Sequence, residues 1–217
     1  MITKLGDWGY TYEFLNRLDQ REVANNIAFN RIIEIHEFAA VELTKLYKRE
    51  GKYYADSLIY HLSHCDKYEE AVFYCIESAE HMINLNMYNQ GIEYYNKAEN
   101  LNGYFQDEGL LLKILVKTGD IYKILGEVEI AKERFERAVV IAEASGAFVY
   151  LTKAENALSY IYLERRDLEK CYELITKAIN IAEDRGDKKG VLRSSIVLGY
   201  YYVARRERVL LEGLIKN

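Results

Sequence analysis

The chain has 217 residues, with 29 basic and 34 acidic side chains and so a net charge of −5 with histidine neutral. Half of the residues are hydrophobic and 29% are charged, which excludes the low-hydrophobicity, high-charge composition of disordered chains. Thirteen glycines, no proline and three cysteines exclude collagen-like, proline-rich and disulfide-framework classes, and an odd number of cysteines points to a reducing compartment.

The opening segment Met1–Leu15 lacks both a basic n-region and an apolar core of signal-peptide length. No later stretch approaches the ~20 apolar residues of a membrane span. The expected location is therefore the cytoplasm, with no membrane partner. A mildly acidic chain has no general affinity for nucleic acid. Without proline nothing is barred from helix. Signals for β-hairpins are nearly absent, and Asn102-Gly103, which follows a helical pattern, reads as a helix stop.

Residues 20–50 predict a long, weakly patterned helix ending at Gly51, followed by a second segment over Tyr53–Cys65. Tyr68, Ala71, Cys75, Ser78 and Met82 then share one helical stripe. Val128, Ala131, Phe135, Ala138 and Ala142 form another, and Leu168, Cys171, Ile175, Ala178 and Ala182 repeat it forty residues later. The preceding helices repeat at the same interval: Thr118, Gly119 and Tyr122 return as Leu158, Ser159 and Tyr162, then as Leu198, Gly199 and Tyr202. Forty residues upstream, Ala79, Met82, Gly91, Tyr95 and Ala98 fall in the same register. Such a pattern predicts antiparallel helix pairs in which a small residue lets a neighbouring backbone approach and an aromatic fills the space beside the crossing. Each pair keeps an apolar flank that only the next pair covers.

Gly119, Tyr122, Ala131, Phe135 and Ala138 together resemble the tetratricopeptide repeat, whose pattern is a small residue, an aromatic, an alanine, an aromatic and an alanine. The repeat here is forty residues against the usual ~34. The family's proline after the second helix is missing, and Gly146 and Gly186 occupy the corresponding helix ends. The resemblance implies an all-α αα-hairpin repeat superhelix of about five helix pairs, breaking near Gly51, Gly103, Gly146 and Gly186. Its expected divisions are an N-terminal helical segment over 1–103 and regular repeats over 104–217, forming one continuous solenoid.

A run through Leu58, Tyr60, His61, Asp66, Tyr68, Ala71, Tyr74, Ala79, Tyr94, Tyr95 and Ala98 is similar to the segment preceding tetratricopeptide arrays in bacterial signal-transduction ATPases of the STAND type. That likeness implies possible fusion to a nucleotide-binding or output domain in a longer protein. No nucleotide site is read within the chain, because Gly51-Lys52 is followed by Tyr53 and lacks the upstream glycine of a phosphate-binding loop. The last unit stops one residue short of its second small position, with Leu210, Leu211, Leu214 and Ile215 still uncovered, which favours a piece of a longer protein.

His61, His64 and Cys65 lie at i, i+3 and i+4, with His81 on the following helix. The spacing suits zinc, but these residues are read as packing and helix-end positions, so no metal, cofactor or catalytic residue is assigned. Cys75 and Cys171 sit in packing stripes, where cysteine acts as a small hydrophobe. Most of Tyr95, Tyr122, Tyr162 and Tyr202 are expected to be buried. An edge cluster, Arg165-Arg166 and Arg205-Arg206 with Arg208, is interrupted by Glu164, Asp167, Glu169 and Glu207, which weighs against nucleic acid.

Lys113, Lys153 and Arg193 recur at forty-residue intervals, as do Asp120, Tyr160 and Tyr200. In tetratricopeptide proteins these positions line the concave groove, so the resemblance implies a peptide- or protein-binding site formed by Lys113, Asp120, Lys153, Asn156, Tyr160, Arg193 and Tyr200. The family's carboxylate clamp for chaperone tails needs asparagines where Asp120 and Tyr160 stand, which disfavours chaperone co-factor activity. The expected function is a non-catalytic interaction module of a bacterial signalling protein with an acidic protein or peptide partner; the alternative is a receptor for a short signalling peptide, as in quorum-sensing regulators of this repeat type.

Overall fold

A computed structural model describes the backbone of residues 2–4, 10–12, 29–50 and 52–215, and the side chains of 31–49 and 53–206. The chain divides into two compact units, Met1–Lys67 and Tyr68–Asn217. The helix pair over 68–102 therefore shares a unit with the repeats expected to begin after residue 103.

The first unit holds two three-residue strands, β1 (Ile2–Lys4) and β2 (Tyr10–Tyr12), paired antiparallel with Thr3 opposite Thr11. This three-residue ladder is the one stretch of strand pairing among the described residues, and the fold is otherwise all-α, as expected. Two helices follow, α1 (Phe29–Glu50) and α2 (Ala55–Ser63), with a short 3-10 turn over Lys52–Tyr54 before α2. Gly51, the expected break, lies outside the described residues.

The second unit consists of α3 (Tyr68–Asn84), α4 (Tyr88–Asn102), α5 (Glu108–Ile124), α6 (Val128–Ser145), α7 (Phe148–Glu164), α8 (Leu168–Asp184) and α9 (Lys188–Ile215). The described residues thus contain three complete pairs in this unit and the first helix of a fourth. Their packing follows the sequence stripes: Ala131, Phe135, Ala138 and Ala142 are buried on α6, as are Cys171, Ile175, Ala178 and Ala182 on α8. Gly119 on α5 faces the fully buried Phe135 so closely that a methyl group there would lie 2.6 Å from Cε1. This is the small-against-aromatic contact that the repeat pattern predicts.

The turns reveal a period shorter than the sequence shows. One residue with positive φ occurs every 20 residues, at Asp66, Asn86, Gln106, Gly126, Gly146, Arg166 and Gly186. At most of them the N–H after the left-handed residue returns to a carbonyl five residues back, as Glu127 does to Tyr122 at 2.9 Å and Asp187 to Ala182 at 2.8 Å. That is the helix-ending geometry in which a left-handed residue lets the chain satisfy an orphan carbonyl. Around Asn102 the side chain substitutes: its Oδ1 accepts from the Asp107 N–H at 3.2 Å while its Nδ2 donates to the Asp107 carbonyl at 3.1 Å. Gly103 follows the end of α4 but is not the left-handed residue; its φ is −56°, and Gln106 takes that conformation.

Ion pairs join successive second helices. Glu99 of α4 meets Arg134 of α6 at 2.5 Å and also pairs with Arg137. These two guanidiniums hold the Glu99 carboxyl below its ordinary pKa, outweighing the opposite effect of burial, which is the largest single influence. Lys177 of α8 reaches Glu143 of α6 at 2.6 Å and the fully buried Glu155 of α7 at 2.9 Å. Tyr95 is fully buried, Tyr122 and Tyr162 are half-buried, and Tyr202 is 52% exposed, so the expectation that most of the four are buried holds only at Tyr95. Among the described residues no helix follows α9 to cover Tyr202.

Candidate functional site

The first helices of three repeats, α5, α7 and α9, line one cavity of ≈ 480 Å³ in the second unit. Helical spacing places Lys153, Asn156, Ala157 and Tyr160 on one face of α7, because i, i+3, i+4 and i+7 fall together at 3.6 residues per turn. Val116, Lys117, Asp120 and Lys123 approach from α5, and Arg193, Ile196 and Val197 from α9. Four cations and one carboxylate thus line the cavity.

The walls draw water away from the Asp120 carboxyl and raise its pKa from the ordinary value, although the residue as a whole remains exposed. Lys123, Lys117 and Lys153 pull the other way without cancelling that effect. Lys123 Nζ lies 4.5 Å from the Tyr160 ring centre, and Tyr160 meets Tyr200 edge-on at 6.2 Å.

Two buried polar atoms of lining residues lack a hydrogen-bond partner among the described residues: Oδ1 of Asn156 and Nε of Arg193. The orientation of the Asn156 amide follows from its neighbour. Ser194 Oγ donates its proton to the Gly190 carbonyl at 3.1 Å, so it accepts from Asn156 Nδ2 at 2.8 Å, leaving Oδ1 as an unmatched acceptor. One acceptor and one N–H donor on residues that line the cavity are thus left without a protein partner.

Of the residues singled out in the sequence, Asp120, Lys153, Asn156, Tyr160 and Arg193 line this cavity, and Tyr200, 53% exposed, adjoins it through Tyr160. Lys113 stands elsewhere. It pairs with Glu80 at 3.2 Å and lines a separate cavity with residues of α3. Arg193 Nη2 is 3.4 Å from Asp187, whose other carboxylate oxygen accepts the Gly190 N–H near the start of α9. Counting by repeats missed Lys117 and Lys123 because it sampled single positions on each helix. Their i, i+3 and i+6 spacing around Asp120 is the signal that would have found them.

In the first unit His64 Nδ1 lies 2.7 Å from the Tyr60 carbonyl, and Cys65 Sγ donates to the Leu62 carbonyl at 3.4 Å. His36, from α1, brings Nδ1 to 2.9 Å from Nδ1 of His61 and stacks on His64 at 5.0 Å. Burial, then neighbouring histidine, lowers the pKa of both His36 and His61, which favours a neutral pair in which one ring donates and the other accepts. Among the described residues no group of three or more His, Cys, Asp or Glu side chains is placed to hold a metal ion. The three cysteines are buried, and burial, with Asp167 nearby, pushes the Cys171 thiol up to about 11. At the basic edge, Arg165 is paired with Glu129.

The helix pairs form an αα-hairpin repeat array with a tetratricopeptide-like fold. Crystal structures of nearly identical TPR-like repeats from a Podosopora anserina kinesin light chain have this fold: one, of a point variant, superposes with a TM-score of 0.58 at 15% identity, covering 87% of this chain and 92% of that one. Another superposes at 0.56 and 15% identity, covering 87% and 93%. No family model and no curated protein matches the chain. Among the described residues no helix is long and apolar enough to cross a membrane.

Proposed function

We propose that the chain is a non-catalytic, cytoplasmic interaction module of a signalling or regulatory protein that holds an acidic segment of a protein partner against α5, α7 and α9. The observation that carries this reading is the cavity itself: Lys117, Lys123, Lys153 and Arg193 against a single Asp120. Ligand carboxylates meet the cations, and Tyr160 adds apolar contact at small entropy loss. The resemblance of the earlier helices to STAND-type signalling ATPases supports a role beside a nucleotide-binding or output module.

A cavity of ≈ 480 Å³ also has the dimensions of a small-ligand site, typically ~300–1,000 Å³. That volume favours, as the second reading, a receptor for a short free signalling peptide.

Charge reversal tests the site. Lys153→Glu with Arg193→Glu should weaken capture of the native partner at least ten-fold while the helical circular dichroism is retained. Wild-type binding should weaken as salt rises, because rim charges are screened over ~8 Å at physiological ionic strength. A double variant that binds the pulled-down partner as tightly as wild type refutes the site. Micromolar binding of short free peptides without any larger partner selects the receptor reading.

A further inference from the structure

Next to the basic cavity lies a second one of equal volume, ≈ 480 Å³, with the opposite charge. It lies between α3 and α5. Glu69, Glu77 and Glu80 of α3 line it with Asp107, and Lys113 is its one cation, already 3.2 Å from Glu80. Its walls are apolar and aromatic. Phe73, 61% exposed, and Phe105 stand among the carboxylates. An aromatic face beside carboxylates fits a side chain with an aliphatic stem and a cationic head, because the stem covers the ring while the head reaches the oxygens. Arginine meets this description best, since its planar fork pairs with carboxylates at two points and stacks on rings.

Helix α5 is a wall of both cavities. Leu110 and Lys113 in its first half line the acidic one; Val116, Lys117, Asp120 and Lys123 line the basic one. Lys113 and Lys117 are one turn apart, a rise of about 6 Å. The two charge fields therefore follow one another along the row of first helices α3, α5, α7 and α9.

We propose that the array recognises a partner segment of mixed charge in fixed order, with an arginine or lysine seated between α3 and α5 and carboxylates seated between α5, α7 and α9. This rests on the reading above that the basic cavity takes an acidic segment, and adds that the opposite fields set the direction in which the segment lies. A segment crossing from α3 to α9 spans three helix spacings of ~8–10 Å, which about eight extended residues cover at ~3.3–3.6 Å each.

Three fluorescein-labelled ten-residue synthetic peptides test it by anisotropy: one acidic throughout, one with an Arg-Leu half followed by a Glu half, and one with the halves exchanged. One mixed peptide should bind about ten-fold tighter than its reverse and than the acidic peptide. Glu69→Lys with Glu77→Lys should remove that advantage without weakening the acidic peptide, and circular dichroism should show the helices retained. If the acidic peptide binds and both mixed peptides bind equally, or if the double variant leaves the preference intact, the ordered-charge proposal is overturned while the acidic-segment reading stands. If none of the three binds, both are overturned.

Discussion

Gly119 and Gly199 occupy equivalent places two repeats apart, yet the same substitution should act on them with opposite sign. At Gly119 an added Cβ would lie 2.6 Å from Phe135 Cε1, 2.7 Å from Cζ and 3.0 Å from Cδ1. Phe135 is fully buried, so its ring has no solvent side into which to swing. Overpacking of this kind costs about 1–3 kcal/mol, while alanine regains roughly 0.5–1 kcal/mol over glycine in a helix. Gly119→Ala should therefore destabilise by about 0.5–2 kcal/mol net. At Gly199 nothing lies within 4 Å of the added Cβ, so only the helix gain remains and Gly199→Ala should stabilise by about 0.5–1 kcal/mol. Urea titrations followed by circular dichroism give both numbers by linear extrapolation. Phe135→Leu removes Cε1 and Cζ, so in the Gly119→Ala background it should recover stability, with a coupling of about 1 kcal/mol or more in the double-mutant cycle. Equal stabilisation by the two alanines, or zero coupling with Phe135→Leu, refutes the assigned contact between α5 and α6.

Arg166 has φ of 61°, a conformation that costs a residue with a Cβ about 1–2 kcal/mol; Arg166→Gly should raise stability by about 0.5–1 kcal/mol after the loss of chain entropy, and Gly126→Ala, at φ 81°, should lower it, both read as shifts in thermal midpoint. Burial raises the Glu155 pKa above the ordinary 4.5, an effect that Lys177 opposes only in part. The folded state therefore binds the proton more tightly than the unfolded chain, and this group's contribution to stability falls as pH rises from about 4.5 through the raised value. Glu155→Gln lacks the titration, so its stability relative to wild type should grow across that window in urea midpoints measured at several pH values; a difference that shrinks as pH rises contradicts the burial of this carboxyl.

The forty-residue period, the stripes on α6 and α8, and the helix ends at Gly146 and Gly186 were legible in the sequence, because each depends on residue size or backbone permissiveness at a fixed spacing. The twenty-residue turn period was not legible. Asp, Asn, Gln, Gly and Arg all take the left-handed position, and what recurs there is a backbone hydrogen bond that no side chain announces. Repeat counting also placed Lys153, Tyr160 and Arg193 on a shared face, since periodicity determines the face of a helix a residue occupies. It could not tell that Lys113 would be held by Glu80, that Lys117 and Lys123 would join the cavity, or that His36 would meet His61. Those outcomes depend on the offset and tilt of neighbouring helices, which arise from packing of all the side chains between them and leave no fixed spacing along the chain.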